Sequence, residues 1–371
     1  MRNNYENENG TNILVIGNGF DIALGLPTHY TDFINFLRIN DPIEIVSRVK
    51  AGNIPEKDYE KFFRVDQDSI DLDEIKKIVE LRQDNSWVEY YNGCKADIKG
   101  WIDLEREMLP VLEFFKWLFE QQITMCGDGK GYKARIILQA EDKYRLAKIL
   151  PKFVSTGVIN GSMKMFYVDV NPKYCNVQYG IFKEKIIEKL IEDFNDFIEM
   201  FRLYLREMVC NAERQHHSVI ENLKADKIIS FNYLQSELYY PSLKDAEVIH
   251  VHGDITKQTN MVLGVNEIPD DMKKDFLYFT KSFQRIKIKA NPKYRDFWND
   301  SFNVTFFGHS LDITDIDIIK PLYEKAKHVK IYYYSEKDYA EKIMNLIKLT
   351  DIQRIEDDNY SGRLELIYSG T

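Results

Sequence analysis

The chain has 371 residues, 44% hydrophobic and 29% charged, an ordinary globular composition long enough for one large domain or two medium ones, which excludes a disordered chain. Its 59 acidic residues outweigh 50 basic ones for a net charge of −9, which opposes non-specific attraction to nucleic acid or an anionic membrane. Cys94, Cys126, Cys175 and Cys210 are too scattered for a zinc ribbon or a redox dithiol, the polar opening MRNNYENENG holds no signal-peptide core, and no apolar run approaches a membrane span, so a cytoplasmic protein is expected.

The first predicted element is Asn12–Ile16, a continuous apolar run too short for a helix, which reads as a parallel-sheet strand buried on both faces. It runs into Gly17-Asn18-Gly19-Phe20-Asp21, where two glycines permit a tight turn that offers backbone N–H groups to an anion at a helix start. A purely structural turn fits the same residues. Ile22 stands at the third glycine of the dinucleotide fingerprint and no Gly-Lys-Ser/Thr ending follows, so neither an ordinary dehydrogenase nor a Walker-type NTPase is expected.

From residue 41 to residue 219 the pattern turns helical. Helices are expected over 70–82, 102–122 and 134–150, whereas 163–170 alternates like a strand or hairpin arm. The longest helix, Phe182–Met208, sets Ile186, Leu190, Phe194, Phe197, Phe201 and Leu205 on one broad core face. Trp101 and Glu105 lie four apart and share a helix face, as core aromatic and solvated acid or as a projecting pair. Strands return at 227–231, 248–251, 261–264, 303–307 and 329–334. The expected fold is therefore α/β: a Rossmann-like parallel sheet flanked by helices, with a large, mostly helical insertion after the first strand–helix unit. Residues 11–40 plus 220–371 would form the discontinuous nucleotide-binding domain, and 41–219 the insertion.

Asn232 follows the strand that begins at Lys227, which places an amide either at a ligand site or on the cap of a next helix. His250 and His252 alternate toward one face of a strand that ends at Gly253, an arrangement for acid/base work; no third ligand at metal spacing accompanies them. Gly308-His309-Ser310 follows another buried strand, suited to a ribose or phosphate contact or to a helix cap. Asp312, Asp315 and Asp317 read as acids of a first helical turn, favoured by the helix dipole.

Taken in order, Gly17–Asp21, Gly25-Leu26-Pro27, Ser230-Phe231-Asn232, His252-Gly253 and Gly308–Ser310 resemble the sirtuin-type NAD-binding proteins. The wording G-N-G-F-D-x-A-x-G-L-P-T-x-Y, with Gly308-His309-Ser310-Leu311 and Trp101-x-x-x-Glu105, is still more similar to the AbiH-like abortive-infection proteins of bacteria. The resemblance covers the sheet-forming parts, 12–35 and about 225–335. It implies NAD as a substrate contacted by Gly17, Asn18, Gly19, Phe20, Asp21, Pro27, Gly253, Gly308 and Ser310. It further implies cleavage of the nicotinamide N-glycosidic bond with Asn232 positioning ribose or water, His252 as general base and Asp21 holding a ribose hydroxyl or stabilising positive charge. No metal is expected. No cysteine follows Cys210, so the zinc ribbon of sirtuin deacylases is missing and deacylation is not expected. The alternative is a sensor that binds NAD or an ADP-ribose-type nucleotide uncleaved and signals through the insertion. A metal-dependent nuclease is the third reading, opposed by the acidic balance. Expected partners are the nucleotide, a phage-derived trigger and a second copy of the chain, but neither membrane nor nucleic acid.

Overall fold

The computed structural model describes residues 10–50, 69–94, 101–127, 132–138, 141–159, 165–176, 178–256, 260–290, 292–298 and 301–370, with backbone alone at 49–50, 101–104 and 132. Strand β1 (Thr11–Ile16) opens the fold. Helices Asn18–Ala23, Tyr30–Leu37, Pro42–Lys50, Leu72–Arg82, Ser86–Gly93 and Trp101–Phe119 follow. Next come β2 (Thr124–Gly127), β3 (Tyr132–Leu138), β4 (Val154–Ile159) and β5 (Met165–Val170), which form an antiparallel sheet in the order β2-β3-β5-β4. Short β6 (Cys175–Asn176) and β7 (Gly180–Ile181) lead into the helix Lys183–Tyr204.

The remaining strands are β8 (Lys227–Ser230), β9 (Glu247–His250), β10 (Phe302–Phe307), β11 (Val329–Tyr333) and β12 (Leu364–Tyr368). With β1 they build one six-stranded sheet, β12-β11-β10-β1-β8-β9, parallel throughout. Counting only these six, the order is 3-2-1-4-5-6, that of the doubly wound dinucleotide-binding fold. The chain leaves β1 to one side of the sheet and β10 to the other, so their carboxyl ends bound the crevice in which such sheets bind ligands.

Period-two alternation sorts the strands between two cores. Ile13 and Val15 of β1 join Ile229, Val304, Phe306 and Ile331 under the C-terminal helices, whereas Leu14 and Ile16 face the helices that precede β8. The helix Lys183–Tyr204 lays Ile186, Leu190, Phe194, Phe197 and Phe201 into that second core, the face its apolar spacing predicts.

Three expectations need correction. The segment 134–150 is not one helix: Ala134, Ile136 and Leu138 are buried while Ile137 is exposed, the period of a strand, and the helix begins only at Glu141. Met261 makes a single bridge to Gly253 and no strand forms over 261–264. The edge strand β12 escapes a search for continuous apolar runs because it is largely half-exposed. No helix among the described residues is long and apolar enough to cross a membrane.

Candidate functional site

The loop after β1 is held by its own backbone. Gly17 N–H donates to the Phe307 carbonyl at 3.3 Å, Gly19 N–H to that of Gly308 at 2.8 Å, and Phe20 N–H to that of Gly17 at 2.8 Å. These amides close the turn onto the loop after β10 and are not turned toward an anion. A Cβ on Gly308, whose φ is +67°, would lie 2.2 Å from the Phe20 nitrogen, and one on Gly19 would lie 2.6 Å from the Gly308 Cα. Close approach of two backbones at the switch point thus accounts for the glycines.

Asp21 follows in the helix Asn18–Ala23, with its carboxyl buried beside Ser236, Glu237, His250 and Arg214. Burial pushes it up to about 7, and the neighbouring Glu237 carboxylate adds to the rise against the opposing hydroxyl of Ser236. Asn232 caps no helix. Its Nδ2 donates to the Gly17 carbonyl at 3.0 Å, which ties the end of β8 to the loop after β1. Its own carbonyl accepts from His250 Nδ1 at 2.9 Å, and His250 Nε2 faces Glu237 Oε1 at 3.4 Å. Burial opposes protonation of His250, but Glu237 holds its pKa above the usual imidazole value.

The two histidines do not act as a pair, because β9 ends at His250 and His252 lies in the turn beyond it. His252 joins a different group. Its Nε2 lies 3.1 Å from Asp315 Oδ1 and 3.3 Å from an Arg285 nitrogen. Lys281 sits 2.9 Å from Glu105 and 3.5 Å from Asp315, all three buried. Burial brings His252 down to about 4, so the imidazole is neutral. His309 stands close by, also lowered to about 4 by burial, and its Nδ1 accepts the Leu311 N–H at 3.0 Å. Burial works against ionising Asp315, yet Lys281 and His252 hold its carboxyl well below the usual range. Burial pushes Glu105 up to about 7 against the pull of the Lys281 ammonium.

Phe231-Asn232-Tyr233 separates the two groups. The Phe231 ring packs edge-on at 5.3 Å from His252 and 4.4 Å from His309, while the Asn232 side chain turns to Gly17. The structure therefore brings Asp21, Asn232, Gly17–Phe20 and Gly308 together and sets His252 on the far side of Phe231. Pro27 is reached through its carbonyl, which accepts from the buried Tyr204 hydroxyl at 2.8 Å. Gly253, at φ +72°, turns the chain where a Cβ would overlap the Asn260 carbonyl. Ser310 is exposed, and its Oγ accepts from the Asp312 N–H at 3.3 Å. The Trp101 side chain lies outside the described residues; Glu105 is buried, not solvated.

Asp315 corrects a second expectation. It occupies the N-cap position of the helix Ile316–Lys325 but caps nothing, since its carboxylate turns inward to His252, Lys281 and Arg285. No motif in the sequence marks Ser236, Glu237, Lys281 or Arg285. Each stands in an irregular or helical stretch without a motif, and proximity in space alone identifies them.

Among the described residues no three His, Cys, Asp or Glu side chains converge as a metal site. The parallel sheet in 3-2-1-4-5-6 order and the acids and imidazoles at its switch point define an α/β protein of Rossmann-like topology with a buried polar centre. A family model described as "Bacteriophage abortive infection AbiH" matches residues 13–335, and the chain belongs to that family. The matched span runs from β1 through β11 and contains both polar groups. No curated protein and no solved structure matches the chain.

Proposed function

We propose that this AbiH-family chain acts in abortive infection by hydrolysing NAD at its nicotinamide N-glycosidic bond. The observation that carries the reading is the meeting of Asp21, Asn232 and Gly308 at the β1/β10 switch point, with His252 one aromatic ring away. In this reading Asn232, whose Nδ2 is committed to Gly17, has its Oδ1 left to orient ribose or water. This reading takes the His252 tautomer that carries its proton on Nε2 toward Asp315, which leaves the Nδ1 lone pair as the base. Water oxygen bonds to the anomeric carbon, its proton passes to Nδ1, and the glycosidic electron pair leaves on nicotinamide, which departs neutral. Ionised Asp21 stabilises the oxocarbenium character of the transition state. Because three loop amides are engaged, phosphate contacts fall to the exposed Ser310 hydroxyl and to the second Nδ2 proton of half-buried Asn18, whose first donates to the Thr28 carbonyl at 3.3 Å.

The test is incubation of the full chain with NAD, with and without phage lysate, and detection of free nicotinamide. Wild type is expected to consume NAD, with an apparent rate that rises through pH 7 as Asp21, held at about 7, ionises. Asn232→Ala and His252→Ala are expected to lose at least about 100-fold in rate while keeping their circular dichroism. Unchanged consumption in both variants sinks the catalytic assignment. Binding of NAD without consumption under either condition replaces the hydrolase with a nucleotide sensor.

A further inference from the structure

The geometry points to a ribose-diol pocket in which Asp21 and Glu237 together accept two adjacent hydroxyls of the nucleotide's sugar, with His250 orienting Glu237. The inference rests on the nucleotide reading above and deepens it, naming the substrate class as a ribonucleotide whose vicinal diol is unmodified.

Asp21 is 2% and Glu237 1% exposed, yet Asp21 Oδ1 and Glu237 Oε2, like the buried Ser236 hydroxyl beside Asp21, have no well-formed hydrogen bond among the described residues. A buried acceptor without a donor costs its full desolvation, so two of them in one place call for a ligand with two donors. The other oxygen of Glu237 is held. Glu237 Oε1 faces His250 Nε2 at 3.4 Å, and His250 Nδ1 donates to the Asn232 carbonyl at 2.9 Å. The same Asn232 bonds the Gly17 carbonyl, so the pair is anchored to the switch-point loop that carries the proposed chemistry. Two carboxyls repel a phosphate. No three ligands converge on a metal among the described residues. Neighbouring hydroxyls, each a donor without charge, match what remains, as the acid of a dinucleotide-binding sheet matches a ribose hydroxyl.

Calorimetric titration of the full-length protein tests this, with NAD and with two NAD analogues that lack the 2′-hydroxyl on the nicotinamide ribose or on the adenosine ribose. Wild type is expected to lose at least about tenfold in affinity for one analogue, which identifies the ribose held. Glu237→Gln is expected to bind NAD more weakly and to discriminate no longer. Equal wild-type affinity for all three ligands overturns the diol pocket while leaving a nucleotide site, and so does full discrimination retained by Glu237→Gln. Failure of wild type to bind any of them overturns both readings. Should Glu237→Gln not fold, the wild-type comparison alone decides.

Discussion

Asp21 and His252 sit in comparable burial but answer it in opposite ways. The Asp21 carboxyl rises from 3.8 to about 7, so the folded state binds a proton the unfolded chain has released. Its contribution to stability is complete below pH 3.8 and is lost as pH climbs to about 7. His252 falls from 6.5 to about 4; its contribution is complete above pH 6.5 and is lost as pH drops toward 4. Replacing Asp21 by Asn removes the ionisation cost, so Asp21→Asn is expected to match wild type near pH 4 and to exceed its stability above pH 7 by up to about 4 kcal/mol. Urea unfolding at several pH values measures the difference. A gap that stays constant across that range would mean that the carboxyl titrates as an ordinary surface acid.

At the scale of elements, buried charges join segments that the apolar cores leave in different places along the chain. Glu105 belongs to the helix Trp101–Phe119, Lys281 opens the helix Lys281–Lys287, and Asp315 precedes the helix Ile316–Lys325. Lys281 is the cation between the two carboxylates, at 2.9 and 3.5 Å. Lys281→Met removes the ammonium 2.9 Å from Glu105 and leaves Asp315 with Arg285 but one cation fewer, and is expected to cost about 3–5 kcal/mol in chemical denaturation. Adding Glu105→Gln is expected to recover a large part of that loss. Equal stability of both variants would mean that the cluster contributes no coupling. The helices themselves were legible where one face stays apolar over many turns, as in Lys183–Tyr204. The segment 134–150 was not, because a strand and a helix placed end to end mimic the spacing of one long helix.

For the whole molecule, the decisive feature is that the sheet and the segment between β1 and β8 share one apolar core. Leu14 and Ile16 belong to the same buried cluster as Trp87, Phe115, Val168 and Phe197. Trp87 is fully buried and its indole N–H donates to the Leu190 carbonyl at 3.1 Å. Trp87→Ala removes that bond and opens a cavity, for an expected loss of about 3–5 kcal/mol. Far-UV circular dichroism and tyrosine fluorescence should then shift together to a lower midpoint. Two separated transitions, one of them unmoved, would show that the insertion unfolds independently of the sheet.

Local rules determined much of this protein from sequence alone. Apolar runs marked five of the six parallel strands, the two glycines after the first of them marked a tight turn, and the motif wording pointed to the AbiH family, which the family match over 13–335 bears out. These signals are legible because they depend on backbone conformation and periodicity within a few residues. Tertiary structure decided the rest. It turned Asp315 from an acid of a first helical turn into a partner of His252, separated His250 from His252, engaged the loop amides with backbone carbonyls, and set Glu237 beside Asp21 from 216 positions away in the chain. Side-chain partners across such distances follow from how the cores pack, and burial then sets the charge of each group, so no local pattern in the chain could announce them.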